Sequence, residues 1–225
     1  MRSPVRVVLN CAGEGRRLGL GSTKALVSVH GEPLIAWHLR MLRNVRDIVV
    51  VVGYQAESVI DAVRAIRSDV IFAFNHEYAT TGTAASLAHG AHGADGDVIS
   101  LDGDLLVHPD DFRRFLEAPR PCLGVGPATT TDAVHVRMGD GGDGSDVVGF
   151  ARDTHGLEWT GLLRVSGDAV AEARTNGGAS GHVYEMLTPH LPIATCEVRA
   201  REIDTPEDYD RAIRWIEPIK ELWTA

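Results

Sequence analysis

Three short segments of the sequence carry the residue types that phosphate chemistry uses. The first is a glycine-rich loop, Ala12-Gly-Glu-Gly-Arg-Arg-Leu18, followed by Lys24. A glycine-rich loop between a strand and a helix can arrange backbone N–H groups around a phosphate chain. It is not a P-loop, because no Gly-Lys-Ser/Thr closes it, and it lacks the third glycine of a dinucleotide fingerprint. A plain tight turn would explain the glycines alone, but Arg17 and Lys24 in the same loop favour a triphosphate site.

The other two segments are acidic pairs, Asp102-Gly-Asp104 and Glu202-Ile-Asp204. Each follows a predicted strand, and ligands of open α/β sheets bind at the carboxyl ends of strands. Carboxylates there suit Mg²⁺, which takes a few oxygen ligands together with substrate phosphates. The alternatives are a solvated turn for the first pair and the decoration of a helix N-terminus for the second.

Alternating strands and helices must position these groups in the first half of the chain. Apolar runs predict strands at 5–9, 47–53, 70–74 and 97–101, and helical spacing predicts helices from Pro33, over 56–66 and over 84–94. Such alternation predicts a mainly parallel sheet with right-handed crossovers.

The second half is less regular. Strands are predicted at 122–125, 159–165 and 194–203, and a hairpin over 132–152 around the turn 139–145. Two short helices follow Val165. The last helix has Thr205 as its N-cap, Pro206 at its first position and Asp208 three residues after the cap, and is predicted to run to Trp223. No domain boundary is visible, so residues 1–225 are predicted to form one domain.

Composition excludes several classes of protein. The 225 residues are 44% hydrophobic and 24% charged, an ordinary globular balance, and a formal net charge of −9 argues against a nucleic-acid binder. No apolar run approaches a membrane helix, and the start lacks the apolar stretch of a signal peptide. Cys11, Cys122 and Cys196 form no C-x-x-C motif and are expected to be reduced thiols. We therefore expect a cytoplasmic protein with neither nucleic-acid nor membrane partners.

Taken together, the segments resemble those of the nucleotidyltransferases that activate sugar phosphates and small phosphorylated alcohols with an NTP. The resemblance extends in order over nearly the whole chain, through 10–18, 23–26, 31–35, 48–54, 75–87, Asp102–Asp104 and 202–209. Two departures are Asn10, where the family has an apolar residue, and Thr23, where it has proline before the lysine. The resemblance implies a Rossmann-like mixed, mainly parallel sheet with helices on both faces and a small inserted hairpin.

The resemblance also implies a role for each matching residue. Asp104, Glu202 and Asp204 would hold Mg²⁺, with Asp102 just outside them beside the nucleotide. Lys24 would contact the α-phosphate and the acceptor, and Arg17 the β- and γ-phosphates. The nucleotide would lie on the loop and on the 82–83 segment, against Ala12, Gly13, Glu14, Gly15, Arg16, Gly82 and Thr83. Gly82 would let the base approach.

The late Glu-x-Asp pair is similar to that of phosphocholine and aminoalkylphosphonate cytidylyltransferases, which favours CTP. The wall of the acceptor site is predicted at Glu158, Trp159 and Gly161, with Tyr184 as a further candidate, because an indole beside a carboxylate suits an amine or trimethylammonium group. A core position is the simpler explanation of Trp159.

Alternatives stay open. A sugar-1-phosphate nucleotidyltransferase shares the motifs, whereas a glycosyltransferase with a D-x-D motif does not need Arg17 and Lys24. A non-catalytic nucleotide-binding module would tolerate the loss of an acidic pair.

Residues 1–120 are expected to bind NTP, and residues 121–225 to bind the acceptor and complete the metal site. The sequence leaves a homodimer open.

Overall fold

The structure is a computed structural model that describes residues 4–19, 21–129, 133–139, 146–152 and 155–223. Its strands are β1 (Val5–Cys11), β2 (Ser28–Val29), β3 (Glu32–Pro33), β4 (Asp47–Val52), β5 (Ile71–Phe74), β6 (Asp97–Asp102), β7 (Leu105–Val107), β8 (Cys122–Pro127), β9 (His135–Met138), β10 (Asp146–Ala151), β11 (Leu157–Ser166), β12 (Ile193–Glu197) and β13 (Ala200–Glu202). Its α-helices are α1 (Leu34–Met41), α2 (Ala56–Arg64), α3 (Thr83–Gly90), α4 (Pro109–Leu116), α5 (Gly167–Thr175), α6 (Val183–Leu187) and α7 (Pro206–Ile216).

One mixed sheet runs through the molecule in the order β5-β4-β1-β6-β11-β8-β12-β10-β9. The strands of the first half, β5, β4, β1 and β6, are parallel, and the predicted alternation of strand and helix is confirmed there. β11 then pairs antiparallel with both β6 and β8. The sheet therefore changes from parallel to antiparallel at β6, the strand that ends in Asp102.

Helices cover both faces of this sheet, because successive residues of a strand point to opposite sides. Val7 and Leu9 pack into a core with residues of α1, α2 and α4. Val8 packs into a second core with residues of α3 and α5. The mixed α/β architecture with two helical layers is confirmed. Among the described helices, none combines the length and the apolar character needed to cross a bilayer.

The predicted strand over 194–203 is wrong in one respect, because the chain leaves the large sheet in its middle. β12 ends at Glu197, and Val198, which is buried, donates its N–H to Val125 O at 2.8 Å. The chain then forms β13, which pairs antiparallel with β7 in a separate two-stranded sheet. This small sheet joins the segment after Asp104 to the segment before Asp204.

The end of the chain follows its local signals in part. Thr205 and Asp208 form the predicted capping box, with Pro206 in the first turn of α7. α7 ends at Ile216 and continues as a 3-10 helix, Glu217–Trp223, so the prediction of one helix to Trp223 is only partly right. The rings of Trp223 and Trp37 lie 5.7 Å apart, which anchors this end on α1.

Three elements were not predicted, namely the β2–β3 pair, β7 and α4. Helix α4 had a readable signal, because Pro109 occupies its first turn and His108 caps it by accepting from Asp110 N. The predicted hairpin appears as the antiparallel pair β9 and β10. Residues 140–145 of its turn lie outside the described residues.

Candidate active site

A cleft of about 390 Å³ opens at the carboxyl ends of β1 and β6, and residues from both halves of the chain line it. It contains the loop cations, both acidic pairs, the 82–83 segment and an aromatic wall. This volume is in the range of small-molecule sites. The structure therefore brings the three predicted segments into one cavity.

Gly15 shapes the loop that carries the cations. Its φ is +64°, in the region that favours glycine, and a Cβ atom there would lie 2.9 Å from Lys24 Cγ. Glu14 and Arg16 form an ion pair, and the Arg16 side chain is largely exposed. The Ala12 carbonyl accepts a hydrogen bond from Tyr54 N at 3.0 Å, which fixes the start of the loop against the end of β4.

The Lys24 ammonium lies between carboxylates from distant parts of the chain. Its Nζ atom is 2.5 Å from both Asp104 Oδ2 and Asp204 Oδ1. Arg17 reaches the other oxygen, Asp204 Oδ2, also at 2.5 Å. Burial opposes the charge on Lys24, but the two ion pairs outweigh it and raise the pKa of Lys24. Lys24 is therefore a fixed cation at the centre of the cleft.

The small sheet of β7 and β13 explains why the acids converge. Glu202 pairs with Leu105 in its register, and Ile203 donates its N–H to Asp104 O at 2.9 Å. Ligand oxygens of Asp104, Glu202 and Asp204 lie within 4.8 Å of one another. Two sequence segments a hundred residues apart thus form one carboxylate cluster.

Acidic side chains outnumber basic ones in this cluster, with Asp104, Glu202 and Asp204 facing Lys24 and Arg17. Burial, with the charge of Asp104 added, raises the pKa of Glu202 to about 9, and the same two causes raise the pKa of Asp102 to about 7. A donor set made only of carboxyl oxygens fits a hard divalent cation such as Mg²⁺. Asp102 is not one of the three residues of this cluster.

The 82–83 segment is packed by the second half of the chain. Gly82 N donates to Ser180 O at 2.8 Å, and Val183 N donates to Thr83 Oγ1 at 3.3 Å. A Cβ atom on Gly82 would lie 2.2 Å from Gly181 O. The close approach of the 180–181 backbone therefore gives a reason for glycine at position 82 that the sequence did not indicate.

The predicted acceptor residues also line the cleft, and two of them, Trp159 and Tyr184, belong to a cluster of three rings. The ring centroids of Phe150, Trp159 and Tyr184 are 5.8 to 6.2 Å apart. The Arg152 guanidinium lies over the Tyr184 ring at 5.7 Å. Phe150 and Arg152 were not predicted, and a lone aromatic or arginine near a turn gives no sequence signal for a shared wall.

Glu158 and Gly161 line the cleft, but their contacts differ from those of an ammonium-binding pair. The buried Glu158 carboxylate accepts hydrogen bonds from Thr129 N at 2.9 Å and Thr129 Oγ1 at 3.2 Å. Gly161 has φ +87° at a bulge in β11, and a Cβ atom there would lie 3.2 Å from Asp102 Oδ2. Gly161 therefore allows β11 to pass close to Asp102.

Sequence reasoning also missed the residues that hold the late acidic pair from behind. The Asp111 carboxylate of α4 accepts from Arg199 N at 2.9 Å and from Arg199 Nε at 2.7 Å. Arg199 immediately precedes β13, so this ion pair anchors the strand that carries Glu202. The prediction missed this pair because it missed α4, although Pro109 marks the first turn of that helix.

Comparison with known proteins agrees with this geometry. A family model described as "MobA-like NTP transferase domain" matches residues 7–179. The chain is similar to the CMP-5'-(3-aminopropyl)phosphonate synthase of Streptomyces rubellomurinus, with 32% identity over 123 residues, covering 52% of this chain and 20% of that protein. It is likewise similar to the bifunctional protein GlmU of Geotalea daltonii, with 32% identity over 117 residues, covering 50% of this chain and 25% of that protein. The chain thus spans a quarter or less of the length of these relatives.

Solved structures share the fold over nearly the whole chain. One is the CTP:phosphocholine cytidylyltransferase of Streptococcus pneumoniae, with a TM-score of 0.77, 22% identity, and coverage of 95% of this chain and 100% of that one. Another is the inositol-1-phosphate CTP transferase of T. maritima, with a TM-score of 0.77, 16% identity, and coverage of 100% and 97%. At these identities the likeness establishes the fold.

Proposed function

We propose that this chain, which belongs to the MobA-like NTP transferase family, transfers a nucleotidyl group from an NTP to a small phosphate or phosphonate acceptor and releases pyrophosphate. One observation carries the proposal. Lys24, from the N-terminal glycine-rich loop, contacts carboxylates from both acidic pairs inside the main cleft. The groups that a nucleotide, a metal and an acceptor need are thereby within reach of one another.

The reaction needs no general base from the protein. An acceptor oxygen, already anionic, attacks the α-phosphorus of the NTP, and the bond to the bridging oxygen of pyrophosphate breaks. Catalysis then consists of positioning and of stabilising negative charge. Lys24 is placed to contact the α-phosphate and the acceptor together. Arg17 and the N–H groups of Gly13 to Arg16 bind the β- and γ-phosphates.

Asp104, Glu202 and Asp204 are the residues that would hold Mg²⁺, which when bound neutralises phosphate charge and orients the two reactants. Arg17 and Lys24 each form an ion pair with Asp204. Phosphate oxygens of an entering NTP therefore compete with this carboxylate for both cations. The exchange replaces one set of charge-assisted contacts by another, so the cations stay paired throughout.

We assign residues 1–120 to NTP binding, and residues 121–225 to acceptor binding and completion of the metal site. The nucleotide base lies near Gly82 and Thr83, with Ala12 opposite and Asp102 beside the phosphates. The acceptor lies against Trp159 and Tyr184, with Gly161 and Glu158 behind them. CTP is the preferred nucleotide in this proposal, supported by the cytidylyl-transferring relatives and not by any contact specific for cytosine.

A sugar-1-phosphate acceptor is the second candidate, supported by the fold shared with a "Putative Glucose-1-Phosphate Thymidylyltransferase" of Bacillus anthracis. Pyrophosphate release should be measured with each of the four NTPs against phosphocholine, 2-aminoethylphosphonate and glucose 1-phosphate, with Mg²⁺ present and with chelator as the control. Activity that depends on both NTP and acceptor is expected, and is expected to be highest with CTP. Faster turnover with UTP, GTP or ATP would contradict the nucleobase assignment, and absence of release with every pair would contradict the reaction class.

A further inference from the structure

Asn10 lies at the edge of the cleft and contacts the turn that carries Asp104, although it takes no part in the reaction proposed above. We propose that Asn10 is a positioning residue, which holds the Asp102–Asp104 turn so that the Asp104 carboxylate faces Lys24 and the late acidic pair. The inference rests on the proposed function for its kinetic consequence. Its structural basis is independent of the identity of the acceptor or the nucleobase.

Both the main chain and the side chain of Asn10 form hydrogen bonds with residues of this turn and of β6. Asn10 lies opposite Asp102 in the parallel register of β1 and β6. Its carbonyl accepts a hydrogen bond from Gly103 N at 2.9 Å. Its amide Nδ2 donates to Asp102 Oδ1 at 3.0 Å and to Ser100 Oγ at 2.9 Å. Two consecutive residues before Asp104 are thereby fixed to one residue of β1.

Close packing restricts the turn on its remaining sides. A Cβ atom on Gly103 would lie 2.7 Å from Cys11 Sγ and 2.8 Å from Asn10 O. On the far side, Asp102 Oδ2 approaches the bulge of β11 at Gly161. A turn held this tightly transmits a small shift of Asp102 to Asp104, two residues later.

The side-chain amide is placed for its two donors. The NH₂ group of Asn10 faces Asp102 and donates to its Oδ1 atom. This orientation leaves Asn10 Oδ1 buried without a hydrogen-bond partner among the described residues. A stranded buried acceptor is unfavourable, and an apolar side chain at this position would avoid it. The amide therefore serves the carboxylate turn rather than the packing of β1.

The test compares Asn10→Leu and Asn10→Ala with wild type, and uses Ser100→Ala as a matched control that removes the other acceptor of the same amide. Mn²⁺ affinity should be measured by titration calorimetry without nucleotide or acceptor, and kcat and KM in the pyrophosphate assay. We expect Mn²⁺ affinity and kcat to fall about 10-fold in both Asn10 variants, since partners just behind metal ligands have effects of this size. The NTP KM should change less than kcat, and Ser100→Ala should resemble wild type.

A double-mutant cycle identifies the route of the effect. If Asn10 acts through Asp102, then Asn10→Ala in the Asp102→Ala background should lower kcat and Mn²⁺ affinity little further. Wild-type Mn²⁺ affinity and kcat in folded Asn10 variants, with only a lower melting temperature, would overturn the inference. Should wild type itself release no pyrophosphate, the proposed function fails, while the Mn²⁺ titrations still decide the role of Asn10. If the leucine variant does not fold, the alanine variant provides the same comparison.

Discussion

Two groups of side chains line the cleft and are held in different ways, a charged group, here called the charged end, and an aromatic group, here called the aromatic end. At the charged end, Lys24, Asp104 and Asp204 meet at 2.5 Å, and a backbone hydrogen bond from Ile203 to Asp104 ties their segments together. At the aromatic end, Trp159 and Tyr184 form a wall through ring contacts near 6 Å. Charge-assisted hydrogen bonds require short distances and defined directions, whereas ring contacts form over a range of geometries. The charged end is therefore suited to a reaction step, and the aromatic end to the choice of acceptor.

Replacing the three clustered acids should have the largest effect on kcat, and it tests the role of the charged end most directly. We expect Asp204→Asn, Glu202→Gln and Asp104→Asn each to lower kcat by about 100-fold or more, because several kcal/mol of charge stabilisation are lost. Mn²⁺ affinity should fall in parallel, and Asp102→Asn should have a smaller effect on kcat. Steady-state kinetics and metal titration on protein with a verified melting transition provide the measurement.

Glu207→Gln is the control for the acid variants, since Glu207 is an exposed acid three residues after Asp204. It should keep wild-type kcat. Near-normal turnover in both Glu202→Gln and Asp204→Asn would show that the cluster is not the metal site, and the assignment of the charged end would then be wrong.

The two cations of the glycine-rich loop, Lys24 and Arg17, are expected to have different functions at the charged end. Lys24 contacts both reactants in the proposed reaction, so its charge acts most in the transition state, where negative charge is shared. We expect Lys24→Ala to lower kcat by about 100-fold, the scale of losing one stabilising donor. Arg17→Ala should show a larger share of its loss in the NTP KM, because its contact is present in substrate and transition state alike.

The kinetics of these two variants also separate the proposal from its rivals. A glycosyltransferase would not depend on either side chain, and a binding module would have no turnover to lose. Wild-type kcat in Lys24→Ala would refute the mechanism.

The charged end could be largely predicted from sequence, because its residues occur in short contiguous motifs at strand ends. Arg17 and Lys24 share one loop, and each acidic pair follows a strand. Their meeting also required the unpredicted pairing of β7 with β13, which depends on contacts a hundred residues apart. The aromatic wall could not be assembled from sequence for the same reason, since Phe150, Trp159 and Tyr184 come from three separate elements.

Local propensity also failed where tertiary packing decides the outcome. The run 194–203 has the alternation of one strand, but Val198 binds Val125 and the chain then changes sheets. The parallel half of the sheet, in contrast, could be predicted from the alternation of strand and helix. Hydrophobic pattern fixes which elements form, and long-range hydrogen bonds fix where functional side chains meet.

The aromatic end gives the next prediction. Trp159→Ala and Tyr184→Ala remove apolar area from the proposed acceptor wall, and we expect the acceptor KM to rise about 10-fold, as expected for losing 1 to 2 kcal/mol of ring contact. The NTP KM should change little. Trp215→Ala, an indole outside the cleft, is the control. If both wall variants keep a wild-type acceptor KM and only the NTP KM rises, the acceptor binds elsewhere. The assignment of separate functions to the two ends would then be wrong.

The smallest effect on catalysis is expected for Asp111, which does not line the cleft and supports the strand that carries Glu202. Asp111, which is buried, binds Arg199 just before β13, and its contacts hold α4 of the first half against the second half. Burial alone would raise the pKa of Asp111, but hydrogen bonds from Arg199 outweigh it and lower the pKa to about 2. We expect Asp111→Asn to lower kcat only a few-fold, roughly 1 kcal/mol of barrier, while it destabilises the fold by roughly 1 to 2 kcal/mol at pH 7, allowing for the exposure of Arg199.

The pH dependence of this stability difference tests its origin. The folded-state pKa of Asp111 is below that of a free aspartate, so the unfolded chain binds its proton first as the pH falls. The stabilisation is therefore fully present above about pH 4, the pKa of a free aspartate, and is lost as the pH falls through about 2. Urea unfolding of wild type and Asp111→Asn at several pH values should show a gap that closes over this window, whereas Asp110→Asn, which removes an exposed pair with Arg113, should show little gap at any pH. A gap of constant size down to pH 2 would mean that packing, and not the ionised Asp111 carboxylate, holds the late acidic strand in place.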